Sequence, residues 1–346
     1  MQKSTALSAV AAASPTGSTA LVGQLDNSAV RRPAIRTPAI RTSAIRTSAI
    51  RRPAVPAGLR TLRLAWEEAR PVVQVVFLLR FLAGLALAER HRSVLSWSIV
   101  AAAASWSCVT SSIYVLNGVS DVAGDRANGS TRPIASGRLP IDTALWTAVA
   151  LAVAGVALSA AVRGPAALLA VLMLVLGWAY SMARSPLKKS MPGFFAVVTA
   201  GGLLTYLAGW FSVGPRPGLE LLVFGLAMSF WMGLGGSTKD LSDTEGDRAE
   251  GRRTWPVILG ERKARTAMAV SALAVGLGFF GVALRVAAGL VGPAVVLLAG
   301  SLALAAVLIT SSSGGNRRTR RRPYRMFMVT QYVAHLTLLG GLALQF

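Results

Sequence analysis

Acidic side chains are scarce in this chain: 14 of its 346 residues are Asp or Glu, against 36 Lys and Arg. Cysteine occurs once, at Cys108, so an internal disulfide or a thiolate metal cluster is excluded. The two histidines, His91 and His335, lie far apart in a predicted outer loop and the last predicted helix, where structural or interfacial roles are expected. No glycine-rich dinucleotide fingerprint or P-loop precedes a helix. Charged residues of both signs reach only 14%, against about 25% in an ordinary globular domain. Every cluster of acids in such a chain needs a reason.

Apolar sequence takes the place of charge. Hydrophobic residues make up 53%, and mean hydropathy is +0.54. A bilayer-crossing helix needs ~20 mostly apolar residues. Nine runs qualify, near 72–89, 96–117, 142–161, 166–183, 193–212, 218–237, 266–286, 288–310 and 325–346. They are separated by Gly, Pro or charge, the punctuation of loops, and none shows the polar face of a soluble helix. The expected fold class is an all-α membrane protein with nine transmembrane helices.

The net charge of +22 raises nucleic acid as a partner, but its placement argues against that. The alternate loops 118–141, 184–192, 238–265 and 311–325 hold nineteen Lys and Arg, and the opposite loops hold five. That asymmetry orients a multi-pass protein with its basic loops and N-terminus in the cytoplasm. No nucleic-acid partner is expected; the lipid bilayer is. The oligomeric state is not readable.

Residues 1–58 form a separate basic arm, with RRPAIRTPAIRTSAIRTSAIRRPAV at 31–55 as a five-residue repeat. So little apolar surface does not offset the entropy of ordering, and disorder is the default. Contact with anionic lipid and an idle solvated tail are both open readings. ALSAVAAAS is short and weakly apolar with only Lys3 ahead of it, a poor signal peptide.

The acids fall in two groups. Asn117, Asp121 and Asp125 are spaced i, i+4, i+8, and Asp240, Asp243 and Asp247 are spaced i, i+3, i+7, so each set shares a face of any helix that carries it. Like charges so placed repel by about 0.2–0.5 kcal/mol per pair on an exposed helix, and by more when desolvated. Repulsion built in twice points to a cation, and hard oxygen ligands suit Mg²⁺ together with phosphate oxygens. The first group follows the second predicted helix and the second follows the sixth, so both emerge on the basic side. Paired N-cap or loop acids balancing Arg are the plainer reading. Arg126, Arg132, Lys239, Arg248, Arg252 and Arg253 flank the acids, and YSMARSPLKKS adds Tyr180, Arg184, Lys188 and Lys189. Carboxylates ringed by cations make a receptor for a magnesium diphosphate, although positive-inside bias alone accounts for Lys189 and Arg253.

These stretches resemble a known family. Asn117-x-x-x-Asp121-x-x-x-Asp125 followed by TRPIASGRLP looks like the first aspartate motif of the UbiA superfamily of intramembrane prenyltransferases, usually Asn-Asp-x-x-Asp-x-x-x-Asp. KDLSDTEGDRAEGRRTWPVILG at 239–260 is similar to its second motif, particularly in members like chlorophyll synthase and homogentisate prenyltransferases. YSMARSPLKKS resembles the Tyr-containing segment after the fourth helix. The resemblance covers about residues 66–346. Gly118 departs from it, standing where the family commonly has its first aspartate.

The resemblance implies a UbiA-like bundle over residues 59–346 whose central cavity opens to the cytoplasm. Asp121, Asp125, Asp243 and Asp247 would coordinate Mg²⁺, assisted by Asn117 and Asp240. Arg132, Lys188, Lys239 and Arg184 would hold a prenyl diphosphate. Tyr180 joins the acids as a catalytic candidate. Tyr114, Tyr206, Phe230 and Trp231 are further aromatic faces for an allylic cation. Arg80, inside the first apolar run, is a candidate for binding the acceptor, a small aromatic or quinone precursor; snorkelling is its other reading. Asp121→Asn or Asp243→Asn is expected to abolish turnover while leaving thermal stability nearly intact. An intramembrane terpene cyclase and a cation-coupled transporter remain open beside prenyl transfer.

Overall fold

With water absent from the bilayer, backbone polar groups must pair within their own segment, which leaves the helix as the answer to each apolar run. The computed structural model describes residues 57–88, 96–127, 129–162, 165–213, 216–310 and 317–344. The repeat arm up to residue 56 and His91 lie outside the described residues.

The helices follow in chain order. A short α1 (Ala57–Glu68) precedes the spanning α2 (Pro71–Ala88) and α3 (Trp97–Ser120), and a one-turn continuation, α4 (Val122–Ala127), follows them. Next come α5 (Ile141–Ala160), α6 (Ala166–Ser181), α7 (Met191–Phe211) and α8 (Leu219–Gly236). The short α9 (Thr244–Ala249) and α10 (Trp255–Leu259) lead into α11 (Glu261–Val286), α12 (Val291–Thr310), α13 (Arg317–Arg320) and α14 (Arg322–Ala343). Among the described residues eight helices are long and apolar enough to cross a membrane. The run expected at 166–183 forms α6, apolar but only 16 residues long.

The spanning helices close into a ring in which α2 touches α3, α7 and α14, α3 packs on α5 and α6, and α8 meets α11, which pairs with α12. Lipid tails give no hydrophobic drive between helices, so polar side chains help fix the contacts. Ser105 Oγ donates to the Gly155 carbonyl at 2.7 Å and Ser112 Oγ to that of Ala148 at 2.7 Å, joining α3 to α5. Thr110 Oγ1 donates to Gln74 Oε1 at 2.8 Å, joining α3 to α2, and Tyr332 donates to the Val72 carbonyl at 2.7 Å, joining α14 to α2. Trp146, Val153, Leu302 and Ile309 face outward, as expected of a lipid-facing shell.

α1 differs from the rest. It exposes Leu59, Leu62 and Trp66, turns Arg60 and Arg63 to another side, and buries Ala65 and Glu68 against the bundle. At Arg70 the backbone takes φ +60°, a left-handed conformation for a residue with a side chain, and the chain turns there into Pro71 of α2.

Candidate active site

The first acidic group sits where α3 runs out. The α-helical bonding continues across the break: the Asp121 amide donates to the Asn117 carbonyl at 3.0 Å and the Asp125 amide to that of Asp121 at 2.8 Å. Asn117, Asp121 and Asp125 thus keep the helical spacing across the α3–α4 junction. Asn117 Nδ2 donates to Asp121 Oδ2 at 2.8 Å while its Oδ1 accepts from Ser181 at 3.0 Å. Lys188, from a 3-10 turn at Leu187–Lys189, donates to Asp121 Oδ1 at 2.6 Å. Asp125 accepts from Arg132 Nη1 at 2.7 Å.

The second group is less regular. A 3-10 turn (Ser237–Ser242) carries Asp240, Asp243 caps it, and α9 holds Asp247. Asp243 meets Arg321 Nη2 at 3.4 Å, and Asp247 Oδ2 accepts from Thr254 at 3.2 Å. Asp240 is buried and paired with Lys239 at 2.8 Å; it faces a small cleft lined by Tyr180, Lys188 and Phe194 rather than the cavity the other acids line.

The two groups converge. Arg252, just beyond α9, donates to Asp121 Oδ1 at 3.1 Å, and its Nε lies 2.7 Å from Glu250 and 4.0 Å from Asp247. One guanidinium therefore spans both motifs. A Cβ at Gly124 of the first motif would fall on Glu250 of the second, so that glycine admits the partner motif's side chain. The Arg253 amide donates to the Lys189 carbonyl at 2.8 Å, tying in the third loop.

Asp121, Asp125, Asp243 and Asp247 line one cavity of about 820 Å³, with Arg132, Lys239, Arg252, Arg321 and Glu250 in its wall. Asn117, Tyr180 and Lys239 also border an apolar cavity of about 160 Å³ that runs among Phe77, Tyr114, Phe194, Met232 and Phe327. A charged chamber therefore abuts a greasy one. Burial pushes Asp121 up, but Lys188, Arg252 and Arg132 outweigh it and hold the carboxyl below the ordinary range. Burial and the neighbouring Asp240 push Asp247 up to about 6.

Among the described residues no three His, Cys, Asp or Glu form a ready-made metal cluster. The donor set still fits Mg²⁺, which takes one or two carboxylates per ion and completes its shell with phosphate oxygens and water. Two oxygen-only pairs facing one chamber meet that requirement.

The other candidates fall in different places. Arg184 is exposed and outside both cavities. Tyr206 and Trp231 are core residues, and Phe230 stacks on Phe195 with an exposed face. Arg80 is buried at the wall of the apolar cavity. Its guanidinium lies 5.9 Å from the Tyr206 ring and 3.5 Å from Gln331, its Nε has no partner, and among the described residues no carboxylate pairs with it. His335 donates from Nδ1 to the Gln331 carbonyl at 2.7 Å and accepts from Tyr206 at 2.6 Å, a buried structural bracket. Three site residues had not been singled out: Glu68, Glu250 and Arg321. Acid scarcity was the one signal for the two glutamates, since EE at 67–68 and the second Glu of the 239–260 stretch stand out in a chain with so few, and nothing set Arg321 apart within the basic run at 317–325.

Residues 77–330 match the UbiA prenyltransferase family. Digeranylgeranylglyceryl phosphate synthase of Methanococcoides burtonii is 30% identical over 43% of this chain and 52% of its own length. That of Ignicoccus hospitalis is 31% identical over 69% of this chain and 79% of its own length. Apart from this longer match, the chain spans about half the length of the curated relatives it matches. A UbiA homologue from Archaeoglobus fulgidus, solved with GPP and Mg²⁺, has the same fold at a TM-score of 0.64 and 18% identity, over 81% of this chain and 99% of that one. A match across both motifs and the helices between them, joined to this bundle, has one meaning: the chain belongs to the UbiA prenyltransferase family.

Proposed function

We propose that this protein ionises a prenyl diphosphate in the membrane and transfers the prenyl group to an acceptor. The observation that carries this reading is the convergence of two remote acidic motifs on one chamber, linked by Arg252 to Asp121 at 3.1 Å. Asp121, Asp125, Asp243 and Asp247, supported by Asn117, would hold Mg²⁺, which when bound neutralises charge on the leaving diphosphate. Arg132, Lys239 and Arg252 line the same chamber, and Lys188 acts from the small cleft beside it by holding Asp121, so the protein's own cations meet the developing negative charge without reorganising. Asp240 acts through Lys239 by pairing with it.

The isoprenoid chain occupies the apolar cavity, where Tyr114, Tyr180, Phe77 and Phe194 offer ring faces to an allylic cation and exclude water. Tyr180 borders both chambers, which supports a place for it beside the breaking C–O bond. The excess of Lys and Arg in the loops around the charged mouth supports a cytoplasmic opening in the cell membrane.

The acceptor is the finer question. An aromatic or quinone-precursor acceptor is one class; the relatives, digeranylgeranylglyceryl phosphate synthases, point instead to a glyceryl phosphate. In either case Arg80, buried and without an acid, is assigned to the acceptor's polar group. Purified protein incubated with Mg²⁺ and labelled prenyl diphosphates, with phenolic, glyceryl phosphate or no acceptor, tests the whole reading. An acceptor-dependent adduct supports it and identifies the class. A hydrocarbon formed without acceptor makes the protein a cyclase, and no consumption of donor refutes both.

A further inference from the structure

Gly118 leaves the first motif one carboxylate short, and the space its side chain would fill is taken. A Cβ built at Gly118 falls on Glu68 Oε1 and comes within 3.0 Å of Arg132 Nη2. Glu68 arrives from α1, fifty positions away, and is completely buried. Its Oε1 pairs with Arg132 Nη2 at 2.5 Å, its Oε2 accepts from the Ile134 amide at 3.0 Å, and its carbonyl accepts from Arg132 Nη2 at 3.2 Å. The other Arg132 nitrogen, Nη1, holds Asp125 at 2.7 Å. Arg132 is thus gripped on one side by an acid that lines the charged chamber and on the other by one outside it.

We propose that Glu68 is the carboxylate the first motif lacks, supplied from α1, and that it acts as a positioning residue holding Arg132 on the donor's diphosphate. The inference rests on the donor reading above. When Asp125 turns to a metal–diphosphate complex, Arg132 loses one anchor. Glu68 keeps the other, so the guanidinium stays aimed into the chamber rather than swinging to solvent. A buried acid is costly unless paired and hydrogen-bonded, and the Ile134 amide together with Arg132 meets that need. Gly118 is the enabling residue, because a side chain there would evict the carboxylate.

The test moves the acid back. Full-length protein in nanodiscs is prepared as wild type, Glu68→Ala, Gly118→Asp and the double variant Glu68→Ala/Gly118→Asp. Binding of a non-hydrolysable thio-diphosphate prenyl analogue with Mg²⁺ is measured by calorimetry, alongside Tm and steady-state kinetics. Glu68→Ala is expected to weaken analogue binding by about tenfold or more, the loss of one charge-assisted contact. The same variant raises KM for the donor more than it lowers kcat. The double variant is expected to regain most of that binding. Gly118→Asp alone, with two acids in one space, binds worse and melts lower than the double variant.

If Glu68→Ala binds like wild type, or if the double variant recovers nothing, Glu68 is only a brace for α1 and the proposal is overturned. Should Glu68→Ala prove too unstable to purify, Glu68→Gln answers in its place: it keeps the shape but not the charge, and wild-type affinity in it also overturns the proposal. A wild type that fails to bind the analogue at all brings down the donor reading itself, a result distinct from both.

Discussion

Replacing Asp247 by Asn should make the protein more stable and useless at once. Asp247 is almost buried, and burial together with Asp240 lifts its carboxyl from 3.8 to about 6. That displacement corresponds to about 3 kcal/mol against the charged form at neutral pH, at about 1.4 kcal/mol per tenfold in the proton equilibrium. Asparagine removes the charge and keeps an acceptor for Thr254, while giving up the 4.0 Å contact with Arg252. A net gain of about 1–2 kcal/mol remains, and Tm is expected to rise by several degrees without divalent cations.

The sign with pH follows from the raised value. The wild-type penalty is full above about 6 and vanishes as the carboxyl protonates on the way down toward 3.8, so the gap between variant and wild type should be wide at pH 7.5 and nearly closed at pH 4.5. The assay is tryptophan-fluorescence melting in detergent with a chelator, at both pH values. Adding Mg²⁺ and a prenyl diphosphate should then stabilise wild type but not the variant. An Asp247→Asn protein that melts below wild type at pH 7.5, or a gap indifferent to pH, would refute the reasoning.

Asp121→Asn should behave oppositely. It strands the buried Lys188 and half-frees Arg252, so it should cost about 2 kcal/mol as well as abolish turnover, measured as a fall in Tm at pH 7.5. The folded Asp121 carboxyl is held low, so its contribution is present at neutral pH and is lost on acidification, and the Tm difference should shrink at low pH. Arg80→Met removes a buried guanidinium that lacks an acid; Tm should hold or rise while KM for the acceptor climbs at least several-fold, and an unchanged KM excludes Arg80 from the acceptor site. Arg252→Lys breaks the bridge between motifs, because a single ammonium does not span Asp121 and Glu250 together; donor binding by calorimetry should weaken about tenfold.

Much of this was legible in the residues. Apolar runs announced the helices, and acids in a chain nearly without them announced the chamber. Sequence alone offers no reason for Asp121→Asn to cost stability, whereas Lys188 and Arg252 on its carboxylate give one. What sequence did not show is which way a membrane helix faces, because core and lipid are equally apolar and the pattern carries no polar stripe. That is why Tyr206, Phe230 and Trp231 were grouped with Tyr114 and Tyr180, although only the last two border the cavity. Asp240 was read onto the common face of a regular helix, and the 3-10 turn at Ser237–Ser242 carries it behind Lys239 instead. Glu68 was invisible because its partner is remote, and no local spacing marks a side chain that fills the gap left by a distant glycine.

Asn117, Tyr180 and Lys239 border both chambers and so form a collar between the charged space and the apolar one. On the proposed donor reading, the headgroup lies on one side of it and the tail on the other. If the proposed donor is correct, remodelling Met173, Gly201 or Met232, which line the apolar chamber and not the charged one, should retune donor length while the bond-breaking step keeps its rate.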